Sequence, residues 1–190
     1  MREETLHHQA SEAVFGDAGR RVTSVDPPPE SRLAALFGGA DLVDAFAVAI
    51  PADATRDITA VAEAIFGHPA WWFRTLLAVR DAVAAGFGLK TTQQIRRIAD
   101  KKSGDRIDFF PVLSRSGREL IIGEDDRHLD FRASILVRPL GEGREFEVVA
   151  TTVVHCHNRP GRCYLTLILP FHRRVVRSSL RRAALALWSP

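Results

Sequence analysis

Between His128 and Arg138 the side chains alternate in character almost without a break. Leu129, Phe131, Ala133, Ile135 and Val137 are apolar, and His128, Asp130, Arg132, Ser134 and Arg138 are polar. A strand turns successive side chains to opposite faces, so a period of two over this length demands a β-strand with one apolar and one polar face. Such a strand needs neighbours for its backbone and an apolar layer against its face. The following residues supply both. Gly141-Glu142-Gly143 reads as a hairpin loop, and Arg144 to His157 as a long last strand. One face of that strand carries Phe146, Val148, Ala150, Thr152, Val154 and Cys156. The other carries Glu145, Glu147, Val149, Thr151, Val153, His155 and His157. Both faces are apolar in the middle, which predicts cover on both sides.

A turn at Asn158 to Gly161 leads into a helix expected to reach about Trp188. Leu165, Ile168, Leu169, Val176, Leu180, Ala183 and Leu187 fall on one stripe, and Arg174, Arg177 and Arg181 on the opposite side. Pro170 lies inside this pattern and is expected to kink or divide the helix.

Upstream, Asp41 to Ile50 is a compact apolar run closed by Pro51 and reads as the first strand. Asp57 to Phe66 repeats apolar residues at helical spacing. Pro69 opens a second helix, about 70–85, which buries Trp71, Leu76 and Val79 or their neighbours. Thr91 to Gly104 reads as a basic surface connection. Phe109 to Ser114 and Glu119 to Gly123 flank a Ser116-Gly117 turn as a strand pair. Residues 1–30 are polar, end in three prolines and read as a loosely attached tail, followed by a short helix over Arg32 to Phe37 capped by Ser31. Residues 31–190 then form a single α+β domain: a curved antiparallel sheet packed on a long C-terminal amphipathic helix, with two shorter helices after the first strand.

Composition narrows the class. With 190 residues, 46% of them hydrophobic and 26% charged, the chain has the make-up of an ordinary globular domain. Two cysteines, Cys156 and Cys163, do not make a disulfide framework. No apolar run spans a membrane, and the N-terminus has no apolar signal core, so the expected location is the cytoplasm. The formal net charge of +3 hides a segregation: no acidic residue follows Glu147, while seven arginines do. That asymmetry fits either a solvated helix face or a docking surface for an acidic partner or membrane. Nucleic acid is disfavoured, because no reader motif accompanies the arginines.

Several groups invite chemistry. Asp130 and Arg132 share a strand face and, if the last strand pairs alongside, share it with His155 or His157. Asp130 and His155 are thereby the candidate acid and base for proton transfer. The same residues also fit a cross-strand ladder of ion pairs. His155, Cys156 and His157 with Cys163 do not have zinc-ligand spacing, and Cys156 points away from the two histidines, so no metal is expected. Glu124-Asp125-Asp126 lacks the ligand pattern of a calcium loop. One of Trp71 and Trp72 is expected in the core, the other at a ligand pocket or a homodimer contact. Asn158 is placed to cap the turn that leads into the last helix, and Arg162 to reach back to an acid such as Asp130. There is no G-x-S-x-G, no phosphate loop and no G-x-G-x-x-G, so neither a serine nucleophile nor a dinucleotide is implied.

The stretches DAFAVAIP, FFPVLSRS, DDRHLDFRASILVRP and above all HNRPGRCYLTLILPFHRRVVRSSLRR resemble the bacterial DUF2867 family, a domain of unknown function. The likeness spans about residues 31–188. Asn158, Gly161, Arg162 and Tyr164, followed by Pro170-Phe171-His172, carry its most specific part. The resemblance implies a helix-grip fold akin to START-type lipid-transfer domains, the birch-pollen allergen and polyketide cyclases, and a reductase-like domain as a partner in some members. It implies no established activity. On this fold an apolar small molecule is expected between sheet and C-terminal helix, with Arg132, His155, His157, Tyr164 and Trp72 as candidate contacts and no cofactor. A cyclase- or isomerase-type enzyme, and a docking module using the arginine face, are the alternatives.

Overall fold

The computed structural model describes residues 21–51, 54–66, 81–82, 85–86, 105–107, 110–141 and 145–188. Seven strands make one curved antiparallel sheet: β1 (Thr23–Ser24), β2 (Leu42–Ile50), β3 (Arg106–Ile107), β4 (Phe110–Arg115), β5 (Glu119–Asp125), β6 (Leu129–Pro139) and β7 (Phe146–Cys156). Their order across the sheet is β1-β2-β7-β6-β5-β4-β3. The α-helices that can be given bounds among the described residues are α1 (Ile58–Phe66) and α2 (Arg159–Trp188). The second helix expected after the first strand lies outside the described residues, except that 81–82 and 85–86 are helical.

The β6 alternation does what its period demands. Ile135 and Val137 join Phe46, Val48, Ile50, Val148, Ala150, Leu120 and Ile122 in the main core, closed by Ile58, Val61, Ala62 and Ile65 of α1 and Leu180, Ala183 and Ala184 of α2. Each fully buried aliphatic side chain there contributes about 1.5–3 kcal/mol relative to an exposed one. A second cluster on the same inner face holds Leu42, Leu129, Val154 and Cys156 against Tyr164 and Leu165 at the start of α2. The helix continues unbroken through Pro170, rather than dividing there. The missing proline N–H costs one backbone hydrogen bond. Anchors on both sides of it, Leu165 before and Leu180 after, hold the two halves on one sheet.

The outer face is covered by the chain that precedes β2. Thr23 and Ser24 pair with Ala47 and Phe46. Val25 packs on Ala45, Ala47, Leu136 and Val149, and Leu33 closes over Ile121 and Val153. Pro28 is fully buried. Residues 21–30, which composition reads as part of a tail, are therefore tied to the sheet by backbone pairing and by Glu30, whose carboxylate is 3.0 Å from the Arg138 guanidinium. The short helix expected over Arg32 to Phe37 is a single 3-10 turn, Ala34–Leu36, begun by Ser31, whose Oγ accepts the Leu33 N–H at 3.1 Å. Two-residue strands such as β1 and β3 leave no periodicity to read, and the sequence gives no sign of them.

Candidate functional site

The register of the sheet places one row of inner-face residues side by side: Asp44, Thr152, Ala133, Ile122 and Val112. The row on one side of it, Phe46, Ala150, Ile135 and Leu120, is buried. In the Asp44 row, Ala133 on β6 and Val112 on β4 are half-buried. Phe131 and Phe110 meet edge to face beside them, with ring centroids 5.7 Å apart. Phe66, at the end of α1, meets Phe110 at 6.3 Å.

Polar groups interrupt this apolar surface at one end of the row. Asp44 stands on β2 between Leu42 and Phe46 of the same face and is 9% exposed. On α2, His172 falls in the apolar stripe between Leu169 and Val176. Its Nε2 lies 3.4 Å from Asp44 Oδ1. Arg173 Nε donates to Asp44 Oδ2 at 3.4 Å. The Asp44–His172 approach is an ion-pair distance without hydrogen-bond alignment. Asp44 Oδ1 and His172 Nε2 are both buried and have no hydrogen-bond partner. Buried polar atoms are nearly always hydrogen-bonded in folded proteins, so a buried acid and imidazole that face each other at ion-pair distance without a hydrogen bond stand out on an otherwise apolar surface. Thr152, buried, stands directly opposite Asp44 on the neighbouring strand.

Neither Asp44 nor His172 is among the candidate site residues that the sequence offers, although both break an apolar pattern. Asp44 is an acid in the inner-face set Leu42, Phe46, Val48 and Ile50, and His172 is a polar residue in a helical apolar stripe.

The residues that the sequence singles out are distributed otherwise. Leu129 and Val154 face α2, so their neighbours Asp130, Arg132 and His155 point to the opposite side of the sheet. Asp130 stands across from His155 in register, and its Oδ2 is 3.1 Å from His157 Nε2. This is the ladder arrangement, on a partly wet outer surface. Arg132 lies along the outer face over Gly123, where a Cβ would come within 2.6 Å of the arginine side chain. Its guanidinium contacts Asp125 at 2.5 Å and donates to the Phe131 carbonyl at 2.9 Å. Tyr164 is buried in the second core cluster. Trp71 and Trp72 lie outside the described residues. Among the described residues, no group of three or more His, Cys, Asp and Glu side chains is set to hold a metal ion, and no helix is long and apolar enough to cross a membrane.

The Asn158, Gly161, Arg162 and Tyr164 pattern builds the corner from β7 into α2. Asn158 Oδ1 accepts the Gly161 N–H at 3.2 Å, which caps the helix, and lies 3.0 Å from His128 Nδ1. Arg162 reaches Asp41 rather than Asp130: its Nε donates to Asp41 Oδ1 at 2.9 Å. Asp41 Oδ2 accepts the Cys156 N–H at 2.7 Å. The Cys156 amide and then the Arg162 guanidinium hold the Asp41 carboxyl below the usual range.

Cys156, beside them, is buried, and its thiol is pushed up to about 11, first by burial and then by the Asp41 charge. The thiolate is the reactive form. Cys163 is exposed. At pH 8 the native protein is expected to react with a thiol reagent at one cysteine, Cys163, and at both only after unfolding. Peptide mapping of the alkylated protein checks this. Rapid native labelling of Cys156 would contradict it.

No curated protein and no solved structure matches the chain. The model of the family described as protein of unknown function (DUF2867) matches residues 36–179, and the chain belongs to that family.

Proposed function

We propose that the protein binds a small, mostly apolar molecule between the inner face of the sheet and α2, in the manner of a helix-grip domain. The single observation that carries this reading is the facing pair Asp44 Oδ1 and His172 Nε2, buried without hydrogen bonds at the end of a sheet row that also holds the half-buried Ala133 and Val112. The ligand's apolar part lies over the half-buried Ala133 and Val112. Its hydrogen-bond donor meets Asp44, and His172 supplies a second polar contact. This moves the polar contacts from the outer-face residues Arg132 and His155 to the face that the helix covers.

Two measurements test the reading. A residue kept polar for a ligand is held at the expense of stability, so an apolar replacement is neutral or stabilising. Asp44→Leu is expected to leave the thermal midpoint unchanged or raised. A loss of more than about 2 kcal/mol would make Asp44 a structural acid instead. Native mass spectrometry of protein purified without denaturation is expected to show a co-purifying mass that disappears in Ala133→Trp, whose ring fills the row. An identical spectrum for the two proteins would overturn the reading.

A second reading rests on the same pair. Asp44 Oδ1 and His172 Nε2 lie 3.4 Å apart, and an acid and an imidazole side by side at an apolar surface are suited to moving a proton to or from a bound carbon acid. In the cyclase- or isomerase-type alternative, His172 is the base, in place of Asp130 and His155.

A further inference from the structure

The outward side of α2 is apolar in its first half and basic in its second. Cys163, Leu167, Phe171, Arg174, Arg177 and Arg181 recur three or four residues apart, so they form one stripe along the helix. All six are exposed, Leu167 to 54% and Phe171 to 40%. Arg177 rests its guanidinium 4.8 Å from the centre of the Phe46 ring at the stripe's margin. Arg174 and Arg181 pair with no acidic side chain among the described residues. No acidic residue follows Glu147, so nothing on the helix itself offsets their charge.

We propose that this stripe seats the protein on an anionic lipid surface. Leu167 and Phe171 enter the boundary between headgroups and acyl chains, and Arg174 and Arg181 pair with lipid phosphates. The combination selects a bilayer over a nucleic acid. A duplex would engage the arginines but offers no apolar layer to cover Leu167. An interfacial helix needs an apolar set and a basic set in reach of one plane, as here. The other side of α2 is committed to the sheet through Leu180 and Ala183, so the helix docks as a ridge of the folded domain.

The test is flotation of the full chain with vesicles of phosphatidylcholine alone and of phosphatidylcholine with phosphatidylserine, at low and high salt. Binding is expected only to the anionic vesicles, and weaker at high salt. Arg174→Glu with Arg181→Glu is expected to reduce it by at least about tenfold, and Leu167→Ser with Phe171→Ser to reduce it as well. These substitutions are on the surface, and an unchanged thermal midpoint verifies that the variants are folded. Equal flotation of the charge-reversed variant overturns the proposal, as does no flotation at all. Full displacement from the vesicles by duplex DNA, with apolar substitutions that change nothing, overturns it in favour of nucleic acid.

Discussion

Gly161→Ala is expected to destabilise the protein by at least about 3 kcal/mol, enough to consume much of the stability of a domain of this size. Gly161 is the third residue of α2, and its Cα faces the turn between β5 and β6. A Cβ built there would lie 2.2 Å from the His128 carbonyl oxygen and 3.0 Å from its carbon. The obstacle is backbone, so no side chain can swing aside. That carbonyl is itself fixed, because it accepts the His157 N–H at 2.9 Å. Relief requires either the helix start to lift, which breaks the Asn158 cap and pulls Tyr164 and Leu165 from the second core cluster, or the β5–β6 turn to move with β6. Overpacking in a site with some freedom costs about 1–3 kcal/mol, and this site has less. Gly117→Ala is the control: a Cβ there meets nothing within 4 Å, and its effect is expected to stay within about 0.5 kcal/mol. Denaturant unfolding of the two variants compares them directly. Equal midpoints would show that the corner is looser than its geometry.

The same corner shows what one-dimensional reading can and cannot reach. The alternation of β6, the two apolar faces of β7 and the stripe of α2 are local periodicities, and all three elements are where their spacing puts them. The motif at the start of α2 is legible as a pattern and its Asn158 cap as a local rule. The reason for Gly161 is a carbonyl more than thirty residues earlier in the chain, and the partner of Arg162 is Asp41, which no spacing connects to it. Contacts between distant segments are decided by how the folded elements stack, which local spacing does not encode. The Asp44 and His172 pair illustrates a different failure. Each residue breaks an apolar pattern, but in an otherwise clear strand or helix one polar residue is easily passed over. Groups already polar on a polar face, such as Asp130 and His155, are more conspicuous in one dimension. Polar residues inside an apolar stripe are the stronger pointer to a site, since burying them needs a reason.

Glu119→Ala is expected to cost about 3–5 kcal/mol and to release the segment that covers the outer face. Glu119 is 3% exposed on the side of the sheet away from α2. Its Oε1 accepts the Ser31 hydroxyl at 2.6 Å and the Ser134 hydroxyl at 2.5 Å, and its Oε2 accepts the Arg32 N–H at 2.9 Å. One carboxylate thus joins the start of the 3-10 turn to two adjacent strands. Truncation leaves the Ser134 hydroxyl, on a fully buried residue, without its acceptor and without access to water. The Arg32 contact to Ser114 on β4 then remains at an exposed position, where a single hydrogen bond contributes little against the entropy of a loosened chain. Leu33 would no longer be pressed onto Ile121 and Val153, so those two residues gain exposure as well. Ser134→Ala removes one donor and keeps the other two bonds, for an expected cost of about 1 kcal/mol. The discriminating measurement is amide hydrogen exchange. In Glu119→Ala the amides of residues 32–40 are expected to lose protection while those of β6 and β7 keep it, because α2 and the main core lie on the other face and do not depend on this carboxylate. If exchange rises uniformly instead, the outer cover and the sheet unfold as one unit. If neither stability nor exchange changes, the segment is held by its apolar contacts alone, and Glu119 is only a well-satisfied passenger.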